Sequence, residues 1–142
     1  MRICKNVLNP AVIAVSASFC LWYQGAAGQP ATPGPAPSVK HVGPREAQKL
    51  IAEKKVVVLD VRTPGEFKTS RIPGATNIDF LASDFQQRLN ALDKSKAYLV
   101  HCASGGRSTQ SLKAFQTQQF QSVYHLDGGI KAWQKAGLPL EK

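Results

Sequence analysis

"AYLVHCASGGRS", Ala97 to Ser108, decides how this chain is read. "AYLVH" is a short apolar run of the kind that forms a buried strand. Cys102 ends it. Gly105 and Gly106 then tolerate the positive φ of a tight turn, and "RSTQSLKAFQTQ" opens a helix near Arg107, with Leu112 and Phe115 on one face. A strand that turns through glycines into a helix is half of a crossover unit.

The same alternation recurs along the chain. "KVVVLDV" predicts a strand over Val56–Asp60, and "SVYHL" another over Ser122–Leu126. "ATNID" around Ile78 predicts a short strand and "SVKHV" an edge strand. Helix signals lie between them. Pro44 stands at a first helical position in "GPREAQKLIAEK". Ser83 and Gln86 predict a capping box ahead of Phe85, Leu89 and Leu92. "GGIKAWQKAG" stops at Gly137, with Pro139 beyond it. Alternating strands and helices imply an α/β fold, with a mostly parallel sheet covered on both faces. Ligands of such sheets sit at the carboxyl ends of the strands.

Upstream, "MRICKN" is positive, Ala11–Tyr23 is apolar, and "QGAAG" supplies small residues. This is the layout of a secretory signal peptide over residues 1–28, cleaved after Ala27 or Gly28. The apolar run is short of the roughly 20 residues a spanning helix needs. Phe19 before Cys20 argues against a lipid anchor. The expectation is export to a periplasmic or secreted location, without stable membrane insertion after cleavage. Residues 29–38, rich in proline, alanine and glycine, read as an extended linker. The domain is expected over residues 39–142.

The formal net charge is +9 for 142 residues. Removing Arg2 and Lys5 leaves 9 − 2 = +7. The basic residues are scattered, with no basic run interleaved with aromatics, so small anions are expected as ligands rather than nucleic acid. Of Cys4, Cys20 and Cys102, only Cys102 survives cleavage, and it has no partner within the chain. It is either a buried small apolar residue or a reactive thiol. Its surroundings favour the thiol. Inward amides of a glycine turn form an anion nest, a helix start adds positive potential, and both lower a thiol pKa. Arg107 adds a fixed cation able to fork onto an anionic donor. Ser108 is placed to cap the helix or touch the substrate.

These residues carry a family resemblance. "VLDVRTPGEF", "RIPGATNI", "YLVHCASGGRS" and "VYHLDGGIKAWQKAGLPL" stand in the order used by single-domain rhodaneses, and the resemblance runs from about Val39 to Leu140. It implies a three-layer fold around a five-stranded parallel sheet. It implies that Cys102 is the sulfur-accepting nucleophile, in a substrate-binding loop of Ala103, Ser104, Gly105, Gly106 and Arg107, with Ser108 beside it. Asp60 and Arg62 match positions that border the family's site; read structurally, Asp60 satisfies loop amides and Arg62 pairs with Glu66. Gly128 and Gly129 fit a sharp turn, and Trp133 reads as core. Two departures stand out. Ser70-Arg71-Ile72 replaces a common Gly-His-Ile, and Ala103 stands where arginine is frequent. Alternation aims His101 away from the thiol side.

The resulting expectation is a sulfurtransferase. It moves a sulfane sulfur from thiosulfate or a persulfide to cyanide or a thiol through a Cys102 persulfide, with no metal or organic cofactor. The alternatives are a non-catalytic binding or redox-sensing module and, further off, a cysteine-dependent phosphatase. The phosphatase loop has five residues between Cys and Arg, whereas "ASGG" has four.

Overall fold

A computed structural model describes residues 38–142. The expected signal peptide, and all of the linker except Ser38, lie outside the described residues. Ser38, read as the last linker residue, instead begins β1 (Ser38–Val42). There follow α1 (Pro44–Ala52), β2 (Val57–Asp60), α2 (Pro64–Thr69), β3 (Thr76–Asn77) and α3 (Phe85–Asn90). Then come β4 (Ala97–His101), α4 (Gly106–Thr117), β5 (Ser122–Leu126) and α5 (Gly129–Lys135). The five strands form one sheet in the order β1-β5-β4-β2-β3, and every pairing is parallel.

Parallel strands need crossover helices, and these cover both faces. The period of two sorts the side chains. Tyr98, Val100 and Cys102 enter a core with Phe85, Leu89, Leu112 and Phe115, under α3 and α4. Leu99 points the other way, into a core with Ala47, Ile130 and Trp133, under α1 and α5. The thiol thus belongs to the α4 face. Trp133 is 2% exposed and its indole N–H donates to the Pro139 carbonyl at 2.9 Å, a core role as expected.

One local expectation fails. Ser83 does not cap α3; its N-cap is Asp84, with no side-chain capping bond. The capping box lies one helix earlier, where Thr63 accepts from the Glu66 amide and the Glu66 carboxylate takes the Thr63 amide. Residues 81–84 make turns instead, so the chain enters α3 about one residue later than the Ser83–Gln86 spacing requires. Pro64, in the first turn of α2, already carries the φ a helix start needs.

Candidate active site

Parallel order brings the carboxyl ends of all the strands to one edge. Asp60 ends β2, Cys102 follows β4, Asp127 follows β5, and His41 lies near the end of β1. Cys102 sits between β4 and the first turn of α4. Gly105 is the N-cap of α4 with φ 106°, a backbone closed to most L-residues. Gly106, expected to share that freedom, is already helical. The turn aims the Gly105 amide at the Cys102 sulfur, 3.1 Å away.

The other contacts to sulfur come from the helix start. The Ser108 hydroxyl lies 3.5 Å from Sγ, 3.0 Å from the Gly105 carbonyl and 2.9 Å from His125 Nε2. Ser108 is therefore no helix cap; it is buried beside the thiol. Burial pushes the Cys102 thiol up, but the Ser108 hydroxyl and the Ser108, Ser104 and Gly105 amides stabilise the thiolate, and the net direction is below the ordinary value. Cys102 is 1% exposed, so little of the residue meets solvent. Ala103 is half-buried, and Ser104 and Gly106 are exposed on the loop.

The base of the loop is held from the far side. The Cys102 carbonyl accepts from the Ile130 amide at 2.9 Å, and the Ala103 carbonyl from the Lys131 amide at 3.1 Å. This clasp needs Gly129, whose φ is 59° and whose place leaves no room for a Cβ, which would collide with the Cys102 carbonyl.

Arg107 lies at the rim, and its fork is already engaged. Its two terminal nitrogens meet the two Glu66 oxygens at 2.7 Å each. The Arg107 guanidinium holds Glu66 down at about 2, against the opposing effect of burial. Arg62, expected on Glu66, instead grips Asp60. Its Nε and Nη2 reach the Asp60 carboxylate at 2.6–3.0 Å, and Nη2 also donates to the Ser70 carbonyl. Asp60 is fully buried and accepts the Arg62 amide as well, so it does satisfy a loop amide. The reason for the exchange is chain geometry. Arg62 turns back on a carboxylate two residues away, while Glu66 in α2 faces the α4 start.

His101 is fully buried, with Nε2 unpartnered and 3.8 Å from Asp60 Oδ2. Burial keeps its pKa below the ordinary value, which favours the uncharged ring. His125 is a residue the sequence reading passed over. The quoted "VYHLDGG" contained it, but only its strand register beside α4 brings it to Ser108.

Comparison with known proteins agrees with this architecture. The Rhodanese-like domain family model matches residues 43–136. The chain is 31% identical to rhodanese-like domain-containing protein 14, chloroplastic, of Arabidopsis thaliana, over 72% of this chain but only 65% of that protein's length. It is 36% identical to thiosulfate sulfurtransferase GlpE of Actinobacillus succinogenes, over 70% of this chain and 88% of that one. The solved structure of a rhodanese-related protein from Thermoplasma volcanium matches with a TM-score of 0.65 at 27% identity, covering 72% of this chain and 97% of that one. With the parallel sheet, the strand-end cysteine loop and a family match across most of the described residues, the chain belongs to the rhodanese-like domain family.

Proposed function

We propose that the protein is a sulfurtransferase that carries sulfane sulfur on Cys102. The observation that supports this best is the Cys102 sulfur facing the Gly105 amide and the Ser108 hydroxyl at a helix start, which favours an anion there. The thiolate attacks the outer sulfur of thiosulfate. A new S–S bond forms, and sulfite leaves with the electron pair of the old one. The persulfide's outer sulfur sits among the loop amides. Cyanide or a thiolate then attacks that sulfur, thiocyanate or a new persulfide departs, and the Cys102 thiolate returns. No metal or organic group enters the balance. Little of Cys102 is exposed, which favours donors that present sulfur end-on.

A phosphatase reading is weaker. It needs an arginine fork free for phosphate oxygens, whereas both ends of the Arg107 fork bond Glu66. The protein acts after export, with its signal segment removed after Ala27 or Gly28; among the described residues, no helix is long and apolar enough to cross a membrane.

Intact-mass measurement after thiosulfate exposure tests the reading. Cys102 gains one sulfur, about 32 Da, and Cys102→Ser gains none. Transfer to cyanide retained by Cys102→Ser removes the mechanism. Phosphate-ester hydrolysis without any mass gain assigns the site to the phosphatase class. N-terminal sequencing of secreted protein should start within residues 28–29, and a soluble species starting at Met1 contradicts export.

A further inference from the structure

Beside the site, three side chains converge that the proposed sulfur transfer does not use directly; His125 alone touches the site, through Ser108. His41 and His125 are direct partners across the β1–β5 pairing, so their side chains share a face. Asp127 lies just past β5. His41 Nδ1 is 2.8 Å from Asp127 Oδ1, His125 Nδ1 is 3.1 Å from the same oxygen, and the two Nδ1 atoms are 3.3 Å apart.

Protons alone cannot satisfy this triangle. The carboxylate oxygen only accepts, and each Nδ1 either donates or accepts. If both rings donate to Asp127, the nitrogens face each other as two donors. If one ring accepts, its nitrogen faces the carboxylate as a second acceptor. One of the three contacts stays unbonded in either case. A cation above the triangle satisfies all three together. Ligand atoms around a tetrahedral zinc ion with bonds of about 2.0–2.1 Å lie about 3.3–3.4 Å apart, close to the longest edge here.

A second observation lies outside the triangle. A histidine that ligates through one nitrogen normally donates its other N–H to a fixed partner. His125 Nε2 meets that condition, 2.9 Å from Ser108 Oγ. His41 and Asp127 each keep more than half of their side-chain surface exposed, which leaves an approach for the ion and a fourth position for water.

We propose that His41, His125 and Asp127 bind one divalent transition ion of the zinc type, through Nδ1, Nδ1 and a carboxylate oxygen. Two imidazoles and one carboxylate suit zinc and its borderline neighbours better than calcium or magnesium, which take oxygen ligands. The ion reaches the thiol only through His125 and Ser108, so it is separate from the reacting sulfur.

The test uses the full chain with Cys4, Cys20 and Cys102 changed to serine, so that no thiol binds metal and sulfur transfer plays no part. Zinc titration by calorimetry should show one site. His41→Ala should weaken it by more than the roughly 10–100-fold that a second-shell change costs, and Asp127→Asn should weaken it too. The chain has three histidines, so nitrogen NMR resolves each. Zinc should shift Nδ1 of His41 and His125 and leave His101 unmoved. Equal zinc affinity in His41→Ala, or zinc that shifts neither ring, overturns the site.

Discussion

Glu66 and Arg107 stand 41 residues apart in sequence, yet they meet through two parallel contacts of 2.7 Å each. The pair ties α2 to the start of α4, and its two charges offset each other. Arg107→Ala therefore does more than delete a cation. It leaves the Glu66 carboxylate uncompensated near the thiol. The catalytic efficiency for thiosulfate should fall by roughly tenfold more than for an uncharged persulfide, a charge effect of about 1.4 kcal/mol. Adding Glu66→Gln should restore part of the thiosulfate loss. Equal losses for both donors, with no recovery in the double variant, assign Arg107 to loop shape alone.

The same pair predicts an acid response. Glu66 is held at about 2, below the ordinary carboxylate range. A group with a depressed folded-state pKa adds stability above its unfolded value of about 4.3, and that stability is lost as pH falls toward the folded value. Denaturant midpoints measured from pH 5 down to pH 2 should fall more steeply in wild type than in Glu66→Gln. Parallel curves would show that the pair contributes nothing to folding. The part-exposed setting keeps the effect small.

Ser108→Ala removes the hydroxyl beside the sulfur while leaving the Gly105 amide. Thiolate formation should move to higher pH. Alkylation of Cys102 at neutral pH should then slow by up to about tenfold, the worth of one charge-assisted hydrogen bond of about 1.5 kcal/mol. At pH well above the thiol pKa the two rates should converge. A rate difference that persists there points to altered access instead.

Gly129→Ala strikes the far side of the loop. A left-handed backbone costs an L-residue about 1–2 kcal/mol, and the added Cβ collides with the Cys102 carbonyl. The melting temperature should drop by about 4–8 °C per kcal/mol. Sulfur loading should fall further than in Gly137→Ala, where φ is also positive but no atom lies in the way. Equal loading in the two variants separates the α5 clasp from the chemistry.

The sheet was legible because burial on both faces leaves apolar runs in sequence. "AYLVH" and "SVYHL" match β4 and β5 at both ends. The loop was legible too, since glycines after a strand-end cysteine announce the turn. Helix starts were harder to read. Ser83–Gln86 and Thr63–Glu66 both carry capping-box spacing, and only the second, backed by Pro64, forms one. Pairings between distant elements left no local trace. Glu66 finds Arg107, and His41 finds His125, through parallel crossovers that set residues tens of positions apart side by side.

Cys102 is gripped twice, its sulfur by the first turn of α4 and its carbonyl by the first turn of α5. A residue moored at both ends behaves as a fixed berth. In the proposed reaction, the sulfur added to Cys102 meets a loop whose base is already tied, since the mooring does not pay out. The empty and loaded forms should therefore superpose along the backbone, and turnover should depend on how cargo enters and leaves rather than on any folding of the chain around it.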